Sequence, residues 1–287
     1  MNILNILEEV EKVDGEIYER LNPRRKAMKD FYGIGKKIAV AAVPLALGSM
    51  FTKAYGQNQT PSQVGDVLGF ALALEYLEWN YYNHALTLAN STYIPTGLDR
   101  NAITVIRNHE RAHVDLLKGA LKITGADGYM YGDFDFTAGG TFTDVNSNYL
   151  TFLKVALAFE DTGVRAYKGQ APNLLGNAVL TTALQIHAVE ARHAAHIRGM
   201  LAMKGADIAP WISLGAGGIS NDTGVAAADM TYAGENNDVQ AGITITGING
   251  FTGVTKAKAV ECFDEPLTKA AVITIANLFI KDGKKLS

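Results

Sequence analysis

The 287 residues include one cysteine, seven prolines and six histidines, and each scarcity excludes something. A single thiol, Cys262, rules out an intramolecular disulfide and a thiolate metal cluster. Such a lone thiol in an exported chain is expected to be buried and inert. With so few prolines, long stretches run without a helix breaker. A net charge of −3 offers no basic surface for nucleic acid or for an anionic membrane. The apolar run from Ile38 to Met50 is too short to cross a bilayer comfortably, so no stable membrane span is expected. Apolar residues make up 48% of the chain, enough for a full core in one large domain or a main domain with an appendage.

Two of the few histidines stand in a repeated motif. Glu110-Arg111-Ala112-His113 recurs eighty residues on as Glu190-Ala191-Arg192-His193, each inside an apolar run free of proline. Three residues of helix is about 300° of rotation, so each Glu and His leave one face about 5–6 Å apart at Cβ, within reach of one metal ion. The repeat extends further. Glu75 is followed seven residues on by Tyr82, and Glu160 by Tyr167, which is two turns in each case. Each half therefore reads Glu-x6-Tyr on one helix and Glu-x-x-His on the next. This pattern selects Glu75 as inward, although Glu78, about 60° away around the helix, remains a candidate.

Four helices carry these residues. Thr60-Pro61-Ser62-Gln63 has the form of a capping box and opens a helix from Pro61 to about Asn90. A second is expected from Asp99 to Thr124. A third, capped by Asn146 or Ser147, reaches about Gln170, and a fourth starts at Pro172 and runs to Gly205. Short links make the first and second helices, and the third and fourth, antiparallel hairpins. Residues 125–146 have no helical period and are long enough to cross a bundle from end to end. The expected fold is all-α: a four-helix bundle over residues 57–205, with a long crossover between helices two and three. In that bundle four carboxylates and two imidazoles meet in an apolar interior, where unpaired carboxylates cost several kcal/mol each. Two divalent cations would cancel that charge. Oxygen ligands with imidazole suit iron or manganese.

This ligand pattern resembles the ferritin-like di-metal carboxylate proteins, over roughly residues 60–205. The resemblance implies Glu75, Glu110, His113, Glu160, Glu190 and His193 as metal ligands, with Glu110 and Glu190 bridging two ions about 3.5–4 Å apart. It also implies Tyr82 and Tyr167 as the candidate catalytic side chains, hydrogen-bonded to ligating carboxylates. Within the family the chain is similar to the desiccation-related, often exported, bacterial group. His84, His109, His187 and His196 fall off the ligand faces and are expected away from the metals. Arg111 and Arg192 are expected to pair with neighbouring or surface acids.

The flanks are less regular. Residues 1–56 combine an amphipathic helix, the basic run Arg24-Arg25-Lys26-Ala27-Met28-Lys29 and the apolar run 38–50. That layout resembles a twin-arginine export signal, with a retained helical arm as the other reading. Periplasm or cell envelope is accordingly one expected location and the cytoplasm the other. Residues 206–287 turn to Gly, Ala, Thr and Asn, with a short strand expected at Ala241–Thr246, a loop at Tyr232–Asn237 and a last helix from Leu267 to Lys281. This mixed extension departs from cage-forming ferritins, and packing over a bundle end or forming a homodimer contact are both open for it. Two functions stand. One is a dinuclear iron or manganese redox protein acting on a small oxidant, peroxide or oxygen with ferrous iron, in oxidative or envelope stress, as a ferroxidase or a dimanganese catalase would. The other is a non-enzymatic metal-binding protein for structure or stress protection.

Overall fold

The computed structural model describes residues 61–88, 92–248 and 253–287. The export signal or retained arm expected at 1–56, and the Thr60 cap, lie outside the described residues. Helix α1 spans Pro61–Thr87, α2 Leu98–Ala120, α3 Tyr149–Gln170 and α4 Val179–Met203.

Three boundaries differ from expectation. Helix α2 stops at Ala120 because the chain turns into the left-handed region at Lys122 (φ 57°). Helix α3 is capped by Asn148, whose side chain accepts from Leu150 N and Thr151 N; Asn146 and Ser147 lie outside it. Pro172 opens only the tight turn Ala171–Leu174, and Gly176 (φ 79°) then redirects the chain before α4 begins.

Cross-helix contacts fix the topology. Down the α1–α2 seam, Arg100 reaches Leu86 O, Arg107 reaches Asn83, and Arg111 stacks over Trp79, so these helices run antiparallel. Along α3–α4, His187 bonds Val164 O and Arg198 bonds Asp161, again antiparallel. Helix α1 also opposes α3, through Tyr81 OH on Phe152 O, Tyr82 on Glu160 and Tyr167 on Glu75. Helices α2 and α3 are therefore parallel, and the intervening residues must cross the length of the bundle. The crossover is tied at its start by Asp127, which accepts from Arg111, Lys118 and Tyr76. Further on, its Phe134 and Phe136 are buried and Phe136 packs edge-on against Tyr81.

The C-terminal extension packs on α3 through Arg165 and Gly169, on α4 through Arg198 and Asp222, and on α1 through Lys269 over Phe70. A hairpin pairs β1 (Val239–Gln240) with β2 (Ile243–Thr244), a shorter strand than expected. Its turn takes positive φ at both Ala241 and Gly242, the twist that suits a two-residue hairpin. Two helices follow, α5 (Lys256–Val260) and α6 (Lys269–Ala276). The expected last helix is shortened because Phe279 and Lys281 pair with the crossover backbone at Asp135 and Asp133. Gly169 on α3 admits the extension: a Cβ there would stand 2.0 Å from Leu267 O. Cys262, expected to be buried, is exposed. Among the described residues no helix is long and apolar enough to cross a membrane.

Candidate metal centre

The apolar stripe of α2 holds Ile103, Ile106, Val114 and Leu117, and Glu110 and His113 lie within it. Folding that stripe inward therefore forces two polar side chains into the core. Glu190 and His193 share the buried side of α4 with Ile186 and Ile197. Glu75 and Glu160 come from the middle of α1 and α3. The structure brings all six residues together, with the four carboxylates fully buried and His113 and His193 only 8% and 5% exposed.

They form two overlapping groups, Glu75, Glu110, His113 and Glu190, and Glu110, Glu160, Glu190 and His193. Glu110 and Glu190 belong to both. His113 Nδ1 lies 3.1 Å from Glu75 Oε2, 3.0 Å from Glu110 Oε2 and 3.0 Å from Glu190 Oε1. His193 Nδ1 lies 2.9 Å from Glu110 Oε1, 3.2 Å from Glu160 Oε2 and 3.6 Å from Glu190 Oε2. Each shared carboxylate thus turns one oxygen to each imidazole. Glu110 Oε1 and both Glu190 oxygens are buried with no hydrogen bond of good geometry, the imidazole nitrogens of His113 and His193 being their polar contacts. Buried acceptors of that kind are costly unless something else satisfies them. A hard or borderline divalent cation fits this donor set of carboxylate oxygen and imidazole nitrogen.

The electrostatics follow from the same crowding. Burial and the nearby Glu190 carboxylate push Glu75 up to about 8. Burial, with repulsion from Glu110 and Glu190, raises Glu160 well above the usual carboxylate range. Burial alone would raise Glu190 too, but the two imidazoles against it hold it at about 2. Burial opposes a charge on His113, yet its surrounding carboxylates lift it to about 12, and His193 is raised by the same kind of contact. In the metal-free chain these contacts favour the protonated imidazoles, and a metal binding at Nδ1 would have to displace a proton.

Tyr82 and Tyr167 are buried, and each hydroxyl donates at 2.5 Å to a carboxylate, Tyr82 to Glu160 Oε1 and Tyr167 to Glu75 Oε1. The partners cross. Each tyrosine serves the glutamate of the other half, a relation that spacing along one helix cannot show. Two residues were missed or underweighted by spacing alone. Glu78 is buried beside the other carboxylates, and burial with their repulsion raises it well above its usual range. His109, expected to lie away from the site, is exposed yet its Nδ1 stands 2.9 Å from His193 Nε2 with the rings stacked. His84 instead stacks on Tyr131, His187 bonds Val164 O and His196 is exposed. Arg111 pairs with Asp127 and Asp115, and Arg192 is exposed.

On the Glu75 side lies an apolar cavity of about 230 Å³, walled by Leu74, Leu117, Tyr167 and Ile186. Residues 63–203 match the family model described as the ferritin-like domain, a span that includes all four helices' polar residues named above. Comparison with curated proteins and with solved structures gives no match.

Proposed function

Starting from the ferritin-like domain that the chain carries at residues 63–203, we propose that its buried cluster holds two divalent ions, iron or manganese, and acts on a small oxidant. One ion would be held by Glu75 and His113, the other by Glu160 and His193, with Glu110 and Glu190 shared. The observation that carries this reading is the pair of shared carboxylates, three of whose buried oxygens have no hydrogen bond of good geometry. A bound pair of such ions supplies redox chemistry, cycling between divalent and trivalent states as peroxide is consumed or as oxygen or peroxide oxidises ferrous iron.

The protein's own part is to bind, position and shield. Tyr82 and Tyr167 fix the outer oxygens of Glu160 and Glu75, leaving the other oxygen of each carboxylate directed at an imidazole. His109 orients His193 from the solvent side, and the contact between their ring nitrogens gives protons a route to exposed surface. The apolar cavity beside Tyr167 suits a small uncharged oxidant better than a hydrated ferrous ion. Export to the periplasm or cell envelope would match a role in oxidative stress there.

A second reading, in which the ions only hold the bundle together, draws on the complete burial of the four carboxylates. Elemental analysis of the purified chain, followed by oxygen evolution from peroxide and by ferrous-iron oxidation, separates the two. Two iron or manganese ions with turnover support the redox reading. Two ions without turnover in either assay leave the structural one, and protein that takes up neither metal refutes both.

A further inference from the structure

Glu78 interrupts the internal symmetry of the centre. The two halves of the bundle repeat Glu75 as Glu160 and Tyr82 as Tyr167, so the position three residues after each glutamate should also correspond. On α1 that position is Glu78; on α3 it is Gly163. The two face each other. A Cβ placed on Gly163 would stand 3.1 Å from Glu78 Oε1 and 3.7 Å from both Cγ and Oε2 of Glu190. The missing side chain on α3 therefore leaves the space that the Glu78 carboxylate fills, next to a carboxylate shared by both halves. Glu78 is only 3% exposed, no hydrogen bond or ion pair joins it to another of the described residues, and its carboxylate stands at the edge of the cluster, outside the two groups whose ligand atoms lie within 4.8 Å of one another. A buried carboxylate with room made for it and no donor to satisfy it needs another reason to be there.

We propose that Glu78 is a seventh carboxylate donor to the metal pair, admitted by Gly163, and that it makes the two metal positions unequal. The six other side chains are matched in kind between the halves, so with them alone the two ions would meet equivalent donors. Glu78 has no counterpart, and loading becomes stepwise, with one ion taken up more tightly than the other. The inference rests on the metal-binding reading above and extends it to the order in which the sites fill.

The test uses the metal-free full chain titrated with Mn(II), free ion being read from its paramagnetic resonance signal. Co(II) absorption serves as a second probe, sensitive to the number and kind of donors. Wild type should bind two Mn(II) with unequal affinities. Glu78→Gln, close to isosteric, should weaken uptake by about tenfold or more and narrow the gap between the two steps. It should also change the Co(II) spectrum. Gly163→Ala keeps every proposed donor residue but crowds the Glu78 carboxylate out of its seat, so it should weaken uptake in the same direction by less. The double variant should bind no worse than Glu78→Gln, since both changes act on one carboxylate. Wild-type affinities and spectrum in Glu78→Gln would overturn the proposal while leaving the metal centre standing, as would a double variant weakened by the product of the single effects. Wild type that binds neither ion would remove the metal centre and this proposal together.

Discussion

Helix α3 has a buried polar cluster on each side, and the two are opposite in kind. On one side Glu160 joins Glu75, Glu110 and Glu190 around only two imidazoles, with Glu78 buried alongside. On the other, Asp161 and Arg165 meet Arg198 and the C-terminal extension. There Arg198 bonds Asp161 at 2.8 Å and Asp222 at 2.7 Å, and Tyr232 OH donates to Asp161 at 2.7 Å. Arg165 pairs with Glu235 at 2.9 Å and donates to the carbonyls of Thr231, Ala233 and Glu265. This second cluster sets two guanidinium groups against three carboxylates and many carbonyls, and satisfies itself almost entirely from within. The first leaves three carboxylate oxygens without a hydrogen bond of good geometry. A balanced buried cluster can fasten one segment to another. An unbalanced one is completed by something from outside the chain.

Breaking the balanced cluster should have the largest effect. Arg198→Met leaves Asp161 and Asp222 without their guanidinium, and removing one partner of a buried pair costs about 3–5 kcal/mol. Urea unfolding should show that loss in the metal-free and metal-loaded protein alike. A change under about 1 kcal/mol would mean that this cluster does not fasten the extension. The unbalanced cluster should respond differently with and without metal. Glu110→Gln with Glu190→Gln takes from His113 and His193 carboxylates that stabilise their charge, so the metal-free variant should itself lose stability. It should in addition lose the stabilisation by metal, about 2.7 kcal/mol at a free ion concentration one hundred times Kd. Thermal melts with and without Mn(II) measure both halves of this expectation.

The same contrast predicts a pH effect of opposite sign with and without metal. In the metal-free chain Glu75 is raised to about 8, so the folded state holds a proton that the unfolded state releases near 4.5. Stability from that proton falls as pH rises from about 4.5 through 8. His113, raised to about 12, adds stability that is complete below about 6.5 and declines above it. Glu190, held at about 2, acts the other way, but only between about 2 and 4.5. Between pH 5 and 8 the metal-free protein should therefore lose stability as pH rises. With metal bound, the carboxylates are held ionised and the imidazoles neutral, and acidification should destabilise as protons compete for the ligands. Parallel slopes in melts across this range would mean that metal does not occupy the cluster.

Local spacing made the cluster legible before any coordinates, because three residues of helix define a face wherever the helix sits. Loop lengths likewise indicated the antiparallel pairs and the crossover, since a long link must travel and a short one must turn. What spacing could not reveal depends on which helix stands opposite. The exchange of Tyr82 and Tyr167 between halves, the seat of Glu78 against Gly163, and the reach of His109 to His193 are all contacts between helices. The extension was hard to read for a related reason. Arg165 and Arg198 look like ordinary helical arginines until backbone carbonyls and acids from 13 to 100 residues away close over them. The Pro172 start failed because a proline fits the first turn of a tight 3-10 segment as well as that of a helix.

The smallest expected effect tests the exchange of tyrosines. Tyr82→Phe keeps the ring and its packing but removes the hydroxyl that donates to Glu160 Oε1, at a cost of about 1 kcal/mol. Tyr167→Phe should cost a similar amount through Glu75. In the balanced cluster Tyr232→Phe should cost less, because Asp161 keeps its bond from Arg198. Magnitude alone does not identify the partner, so the sharper measurement is a pair of double-mutant cycles on the metal-free chain. If the contacts cross between halves, Tyr82→Phe is coupled to Glu160→Gln and nearly additive with Glu75→Gln, although Tyr82 and Glu75 share a helix. Coupling of about 0.5 kcal/mol or more is resolvable in such a cycle. The reverse pattern, Tyr82 coupled to Glu75, would mean that each half supports its own carboxylate. The two metal positions would then be built independently of each other, and the crossed hydroxyls could not link the geometry of one to the other.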